Sequence, residues 1–342
     1  LDQLTYSEMV NTITLGFHNT AAAASIGKTA TKDENGPQGL TAALTGGASA
    51  MCYTSEDVMA ATFNVDLINE VGRCIGEDCL AMGYSGLYGP GINMHRTAYC
   101  GRNFEYYSED PFVAGTICAA EVQGIQSKGV YVYLKHVALN DSETSRRGVN
   151  TWLNEQAARE VYLKAFQAPV EVGNANGVMI AYTRWGAVWS GGNYGLVTGI
   201  LRNEWGCDGM VITDNVLTQY VNGPDGVLAG VSIYDAMMSF VTDTLPKYKN
   251  DPVIVTAMRE ACHHNLYAIA NSCGMNGVGA DTTIKVTRPT VVTMSIIIAC
   301  ASTFFCLLGI VMWIIGGIKF RKTEEYKAYK DFKKSLKAAK KA

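Results

Sequence analysis

The sequence has 342 residues, a formal net charge of −3 at pH 7, and a composition that is 48% hydrophobic and 17% charged. These values are typical of a globular protein, with one large domain or two small ones, to which an apolar segment has been added. A strong positive balance is confined to one short C-terminal tail, so we do not expect the protein to bind nucleic acid.

Short apolar strands alternate with amphipathic helices from about residue 55 onward. In chain order, the predicted elements are a helix in "SEDVMAATFNVDLINEVGRCIGEDCLAMG", a strand in "YSGLYGPGIN", a helix in "EDPFVAGTICAAEVQGIQSKG", a strand in "VYVYLKHVAL", a helix in "NEQAAREVYLKAFQAPVEVG" with a possible kink at Pro169, a strand in "GVMIAYT", a helix in "YGLVTGILRNEW", a strand in "GMVITD", a short helix and strand in "GPDGVLAGVSIYDAM", and a last helix in "DPVIVTAMREACHHNLYAIANS".

This alternation predicts an α/β fold with a parallel sheet. The length of the region in which strands and helices alternate fits a (β/α)8 TIM-type barrel over residues 1–273. A doubly wound sheet is the alternative, and the absence of a GxGxxG motif after the first predicted strand weighs against it.

Three C-terminal segments follow the predicted barrel. Residues 274–290 are rich in Gly and Thr and indicate a stalk, whereas residues 291–318 contain no charge and are long enough for a single transmembrane helix. The tail at 319–342 has ten Lys or Arg and three Asp or Glu. The positive-inside rule therefore predicts a single-pass protein of the cell membrane, with an extracellular barrel and a cytoplasmic basic tail. Such a topology requires export, yet the sequence begins at Leu1 without a signal peptide, so we expect a longer gene product.

The cysteines do not predict a metal site or a disulfide framework. Two of the ten, Cys300 and Cys306, lie in the apolar segment, and no CxxC motif or His-rich pair indicates zinc. We expect the others to be small buried side chains, with one or two bridges at most.

Polar side chains follow several of the predicted strands. Asp214 follows "GMVIT", Lys135 and His136 end "YVYLKH", Tyr182 ends "GVMIAY", and Arg102 comes shortly after His95 and Arg96. In a parallel barrel these strand ends share the face on which active sites are built. Lys, His, two Arg and Tyr around one carboxylate would hold it ionised and would provide donors for a hydroxyl-rich ligand.

Each of these residues also has an ordinary structural interpretation. A lone Asp after a strand is more often a turn or a helix cap, a Lys-His pair can lie on the surface, and a Tyr can belong to the core. Trp152, Trp185 and Trp189 lie near the same loops, where their ring faces are suited to stacking on sugars. The combined pattern predicts a sugar-binding barrel.

Five ordered motifs resemble the barrel domain of glycoside hydrolase family 3, the β-glucosidase-type family. They are "GPGINMHRTAYCGRNFEYYSEDPFVAG", "LKHVALNDSETSRR", "AREVYLKAF", "VMIAY" and "LRNEWGCDGMVITD". "LDQLTYSEMV" and "NGPQGL" fit the opening of that domain, so the resemblance covers residues 1 to about 272. The loop after Lys135-His136 differs from that of the family's N-acetylglucosaminidases, which favours a β-glucosidase or a related β-glycosidase.

The resemblance implies roles for individual residues. Asp214 matches the catalytic nucleophile of a retaining enzyme, which forms a covalent glycosyl intermediate. The residues that match the lining of the sugar pocket are Arg102, Lys135, His136, Arg146 and Tyr182. Arg147 is a rival for the role of Arg146. No metal or organic cofactor is implied, and the expected partner is a β-linked glycoside or short oligosaccharide.

The sequence departs from the family pattern at two positions. Asn35 stands where the family usually has an Asp that accepts bonds from sugar hydroxyls, and Asn215 stands where it usually has Trp. The resemblance also implies an acid/base Glu from a second domain, roughly 5 Å from the nucleophile. Glu105 and Glu143 match no such role, so we expect that Glu to come from a missing segment of the same gene product or from a partner chain.

Two other functions remain open at this stage. A catalytically inactive, cell-surface carbohydrate-binding relative would be consistent with Asn35 and Asn215. A membrane-tethered interaction module, with the barrel only as a scaffold, is the weaker alternative.

Overall fold

The computed structural model describes residues 1–216, 220–236, 245–279, 281–283, 285 and 290–339. The chain divides into two compact units, Leu1–Ile284 and Lys285–Ala342. Six residues of the predicted stalk, 280, 284 and 286–289, and the last three residues of the tail lie outside the described residues.

The described residues of the first unit contain ten short strands. They are β1 (Asn19–Thr20), β2 (Thr31–Asn35), β3 (Gly86–Tyr88), β4 (Tyr131–Val132), β5 (Leu134–Val137), β6 (Asn150–Thr151), β7 (Gly177–Ile180), β8 (Arg184–Trp185), β9 (Val188–Trp189) and β10 (Met210–Thr213). Strands β2, β3 and β4 are parallel, and so are β5, β7 and β10. A parallel bridge between Gly91 and Lys135 joins the two groups, and another between Ile212 and Ile233 adds the segment after β10. Strands β6, β8 and β9 form a separate small sheet.

The N-terminal segment closes this sheet into a ring. The Tyr234 backbone N–H donates to the Ile13 carbonyl at 2.7 Å, and the Gly16 N–H donates to the Tyr234 carbonyl at 3.0 Å. Strand β1 then pairs antiparallel with β2. The predicted α/β fold is confirmed, but in the described residues β2, β3, β4–β5, β7, β10 and the Ile233 segment provide six parallel strand positions rather than eight.

Helices cover the outside of the ring. They are α1 (Tyr6–Thr14), α2 (Glu56–Ala61), α3 (Val65–Met82), α4 (Pro111–Gln126), α5 (Glu155–Ala157), α6 (Lys164–Glu171), α7 (Gly223–Ala229) and α8 (Pro252–Ala270), with two wider, π-type segments at Ala158–Tyr162 and Gly195–Glu204. The Asp110 and Asp251 side chains accept from free N–H groups at the starts of α4 and α8, and a Pro follows each. The single helix predicted before β3 is two helices, α2 and α3, because the chain turns at Phe63 with φ 51°.

Glycines allow α3 and α4 to pack closely. A Cβ on Gly72 would lie 2.3 Å from the Glu121 carbonyl oxygen, and one on Gly124 would lie 2.2 Å from the Asn69 carbonyl oxygen. Inside the ring, the buried Tyr131 and Tyr133 hydroxyls both donate to the Asp33 carboxylate. The interior is therefore filled by side chains rather than open, as in other barrels.

The second unit contains α9 (Thr290–Phe320) and α10 (Glu324–Ala339). Within the described residues, one helix is long and apolar enough to cross a bilayer, at Val292–Phe320 with a mean hydropathy of 2.4. This agrees with the predicted span in length and composition, and the membrane location itself stays a prediction. All ten cysteines are free thiols. Of the eight outside α9, five are buried as expected, whereas Cys52 and Cys74 are exposed and Cys273 is half-buried.

Candidate active site

A cavity of about 400 Å³ opens at the carboxyl ends of the parallel strands. All seven predicted site residues line it, although they come from six separate parts of the sequence. They are Asn35, Arg102, Lys135, His136, Arg146, Tyr182 and Asp214. Arg102, Lys135, His136, Tyr182 and Asp214 were also selected by their positions after predicted strands, whereas Asn35 and Arg146 came from the resemblance alone.

Asp214 follows β10, and its carboxylate faces the cavity. Its Oδ1 accepts from the Asn215 backbone N–H at 2.7 Å, and its Oδ2 has no hydrogen-bond partner among the described residues. The Nε2 atom of His136 lies 3.9 Å from Oδ2. Burial raises the pKa of Asp214 above its usual value, and this outweighs the lowering by Arg146 and other nearby cations. The expected effect of the cationic neighbours is present, and the cost of desolvation, which the sequence does not reveal, acts against it.

Lys135 and His136 end β5, where both side chains are buried. Lys135 Nζ lies 3.6 Å from Glu105 Oε2, and burial lowers the pKa of Lys135. Burial also lowers the pKa of His136 well below its ordinary value, with the positive charge of Arg102 adding to the effect, so His136 is neutral. The backbone of His136 is held on both sides by the Asn93 side chain, at 2.8 and 3.0 Å.

Two glutamates orient the arginines of the cavity. Glu105 accepts from Arg102 Nε, and its pKa is lowered because the charges of Lys135 and Arg102 outweigh its burial. Glu143 Oε2 lies 3.0 Å from Arg146 Nη1. These carboxylates are engaged with cations, which is the opposite of the environment that a general acid needs.

The aromatic ring of Tyr182 lies beneath two guanidinium groups. The Cζ atoms of Arg146 and Arg147 are 4.7 and 5.3 Å from its centroid, so both rival arginines reach the cavity. The Tyr182 hydroxyl donates to the Asn215 carbonyl at 2.8 Å, and the Tyr220 hydroxyl donates to the Asp214 carbonyl at 2.6 Å. The two tyrosines thereby hold the backbone carbonyl groups of Asp214 and Asn215.

Asn35 ends β2 and directs its amide toward the protein. Its backbone N–H and its Nδ2 donate to Glu34 Oε1 at 3.0 and 3.3 Å. Glu34 is itself paired with His18 Nδ1 at 2.9 Å. The side-chain carbonyl of Asn35 is therefore what this residue can offer to a ligand.

Several residues that the sequence indicated lie elsewhere. None of the three tryptophans lines the cavity: Trp152 is 76% exposed, and the buried Trp189 donates from its indole nitrogen to the Ala181 carbonyl at 3.0 Å. His95 bonds to backbone carbonyls of its own loop, and Arg96 stacks on Tyr162.

Other lining residues were not predicted. They are Phe17, His18, Leu44, Tyr88, Met179 and Asp235. Phe17 and His18 belong to the segment that closes the ring, which has no strand pattern in the sequence. Asp235 follows the predicted strand in "GVSIYDAM", and the strand-end rule applied to this last strand would have found it. Among the described residues, no group of three or more His, Cys, Asp or Glu side chains is arranged to hold a metal ion.

The model of the "Glycosyl hydrolase family 3 N terminal domain" matches residues 23–227. The chain belongs to this family. It is 42% identical over 180 residues to a beta-glucosidase of Ruminococcus albus, covering 53% of this chain and 19% of that protein. It is 35% identical over 223 residues to thermostable beta-glucosidase B of Acetivibrio thermocellus, covering 63% of this chain and 30% of that protein.

Solved structures show the same similarity. Beta-glucosidase 3B from Thermotoga neapolitana in complex with glucose superposes with a TM-score of 0.74 and 28% identity, over 82% of this chain and 44% of that one. The GH3 beta-glucosidase of Bifidobacterium adolescentis gives a TM-score of 0.75 and 28% identity, over 83% and 41%. The chain thus spans less than a third of the two curated relatives and less than half of either solved structure.

Proposed function

We propose that this chain forms the sugar-binding, nucleophile-bearing barrel of a retaining β-glycosidase of the β-glucosidase type. The observation that carries the proposal is the carboxylate of Asp214, which faces the cavity with one oxygen free of partners among the described residues. Arg102, Lys135, His136 and Arg146 line the same cavity. Both curated relatives described above are beta-glucosidases, which supports the same reaction class.

The reaction has two steps. Asp214 attacks the anomeric carbon, the bond to the leaving oxygen breaks, and that oxygen takes a proton from a general acid. Water then attacks the glycosyl-Asp214 ester while the same acid, now a base, removes the proton of the water. Neutral His136 and the cationic Lys135 and Arg102 donate hydrogen bonds to the sugar and orient its ring. The charges of Lys135 and Arg102 also stabilise the ionised form of Asp214 when the sugar binds beside it.

Glu105 and Glu143 do not provide the acid/base residue of this reaction. Glu105 and Glu143 are paired with Lys135, Arg102 and Arg146, and the lowered pKa of Glu105 makes it a poor proton donor at neutral pH. A Glu from another segment of the gene product, or from a partner chain, completes the site.

A direct test compares turnover of an aryl β-glucoside by the chain, and by the longest gene product that contains it, with turnover by the Asp214→Asn variant. We expect the longer wild-type protein to be active and the variant to lose at least about a thousandfold in kcat, with unchanged circular dichroism. Activity retained in Asp214→Asn would refute the role of Asp214.

A carbohydrate-binding protein without turnover is the second candidate, and Asn35 and Asn215 favour it. In that case the wild-type protein and Asp214→Asn would bind a glucoside with similar affinity, and neither would hydrolyse it.

Helix α9 anchors the protein to the cell membrane in this proposal, with the barrel outside and α10 on the cytoplasmic side. The length and hydropathy of α9 support a span, and the basic residues after it support the orientation. Protease treatment of intact cells should digest the barrel and spare α10. Recovery of the protein in the soluble cytosolic fraction would refute the anchor.

A further inference from the structure

Asp235 is a second buried carboxylate in the cavity, and it lies in the Ile233 segment that pairs with β10. It is 2% exposed and follows Ile233, which bridges in parallel to Ile212 of β10. Its backbone N–H donates to Thr213 Oγ1 at 3.0 Å, and its carbonyl accepts from the Val216 N–H at 2.8 Å. These two hydrogen bonds connect Asp235 to Thr213, just before Asp214, and to Val216, two residues after it.

The side chain of Asp235 is poorly satisfied by the protein. Its Oδ1 accepts from the Tyr88 hydroxyl at 3.3 Å, and its Oδ2 accepts from Asn215 Nδ2 at 3.4 Å. Both bonds are long, since the usual range is about 2.5–3.0 Å for an O–H donor and about 2.7–3.2 Å for an N–H donor. The Tyr88 proton is also shared with the Gly16 carbonyl at 3.2 Å. Because a carboxylate offers about four acceptor sites and these two bonds use two of them, about half of its hydrogen-bonding capacity remains for a ligand in the cavity.

No Lys or Arg forms an ion pair with Asp235 in the described part of the chain. Burial raises the pKa of Asp235 to about 7; the charge of His18 acts against this increase, and the like charge of Asp214 adds to it. A buried and half-paired carboxylate costs stability, which is the pattern of a group kept for binding.

The two departures from the family pattern lie on either side of this residue. Asn35 offers one neutral carbonyl where the resemblance implies a carboxylate. Asn215, where the resemblance implies Trp, directs its amide to Asp235. In the ring, the strand position of Asp235 and strand β2, which ends at Asn35, are separated by the closing N-terminal segment. Asp235 thus provides a carboxylate at a different position of the ring within the same cavity.

We propose that Asp235 is a substrate-binding carboxylate that accepts hydrogen bonds from hydroxyl groups of the sugar ring held against Asp214. The inference rests on the proposed function, because it needs a glycoside in this cavity. The ligand class is sugars that present free hydroxyl groups to Asp235, at the end of the Ile233 segment. A sugar that lacks the recognised hydroxyl leaves the carboxylate unpaired and binds weakly.

The test measures equilibrium binding of methyl β-D-glucopyranoside and its 3-, 4- and 6-deoxy analogues to the whole chain. A polyoxyethylene detergent is required, because sugar-headed detergents would compete for the cavity. The variants are Asp235→Asn, which keeps the shape of the side chain, and Asp225→Asn, which removes an exposed acid that does not line the cavity.

We expect Asp235→Asn to raise Kd at least tenfold, while Asp225→Asn leaves it unchanged. We also expect one deoxy analogue to bind the wild-type protein much more weakly than the parent glucoside does. That difference should disappear in Asp235→Asn, which a merely structural role of Asp235 would not produce.

Equal affinity of wild type and Asp235→Asn would overturn the inference and leave the proposed function standing. Weaker binding of all analogues in parallel, with the wild-type selectivity retained, would also overturn it. If the wild-type protein binds no glucoside at all, the inference and the sugar-binding part of the proposed function both fail.

Discussion

Replacing Asp235 by Asn should stabilise the first unit, and the gain should grow with pH. The pKa of Asp235 is raised from 3.8 to about 7. Between these values the folded protein holds a proton that the unfolded chain has released, so stability falls as the pH rises through this window. Asn cannot ionise, so the Asp235→Asn variant does not lose stability in this way. The other groups that face Asp235, namely Asp214, His18 and Tyr88, interact with its charge, so the figure derived from Asp235 alone is a ceiling.

The size of the gain in the free energy of unfolding follows from the raised pKa of Asp235. A difference of about three pKa units corresponds to a ceiling of about 4 kcal/mol at pH 8, and to about 1 kcal/mol at pH 4.5. For a unit of this length, about 4 kcal/mol corresponds to a rise in Tm of roughly 8 °C.

Thermal unfolding of the intact chain, followed by near-UV circular dichroism at pH 4.5 and pH 8, measures this difference. Asp225→Asn is the control, and its Tm should follow that of the wild type at both pH values. A gain for Asp235→Asn that is equal at both pH values would refute the reasoning, because it would not arise from a buried charge. A loss at pH 8 would refute it too.

Three further predictions concern other parts of the chain. Glu105→Gln leaves Lys135 buried without its partner and should lower the free energy of unfolding by about 3 kcal/mol, measured by urea denaturation; a change below 0.5 kcal/mol would contradict the ion pair. Gly124→Ala places a Cβ 2.2 Å from the Asn69 carbonyl oxygen and should cost about 2 kcal/mol in the same assay, whereas an unchanged midpoint would mean that α3 and α4 separate freely. Val311→Arg, near the middle of α9, should cost about 3 kcal/mol of insertion and reduce the carbonate-resistant membrane fraction; full retention would contradict a span.

The site residues that could be predicted from the sequence follow strands that are recognisable from a short stretch of sequence. "GMVITD" and "GVMIAY" are short apolar runs that end in a polar residue, and they form β10 with Asp214 and β7 with Tyr182 close behind. A buried strand of a parallel sheet needs such a run, so its end can be identified without knowledge of its partners.

The parts that failed depend on contacts that are distant in sequence. The segment that closes the ring is held by three backbone pairings, to Tyr234 and to β2, and nothing in its own composition indicates a strand. For the same reason His18 was not identified as a lining residue. Trp189 was expected near a sugar, but its indole is used by the Ala181 carbonyl, a partner that only the fold supplies.

The central claim is that Asp214 attacks a sugar held in this cavity. The most direct measurement is the intact mass of the whole chain after exposure to 2,4-dinitrophenyl 2-deoxy-2-fluoro-β-D-glucoside, whose leaving group needs little help from an acid. The account predicts the gain of one fluorosugar, mapped by peptide analysis to Asp214 and absent from Asp214→Asn. A gain mapped to another residue, such as Asp235, or no gain in a protein that also contains the acid/base segment, would contradict it.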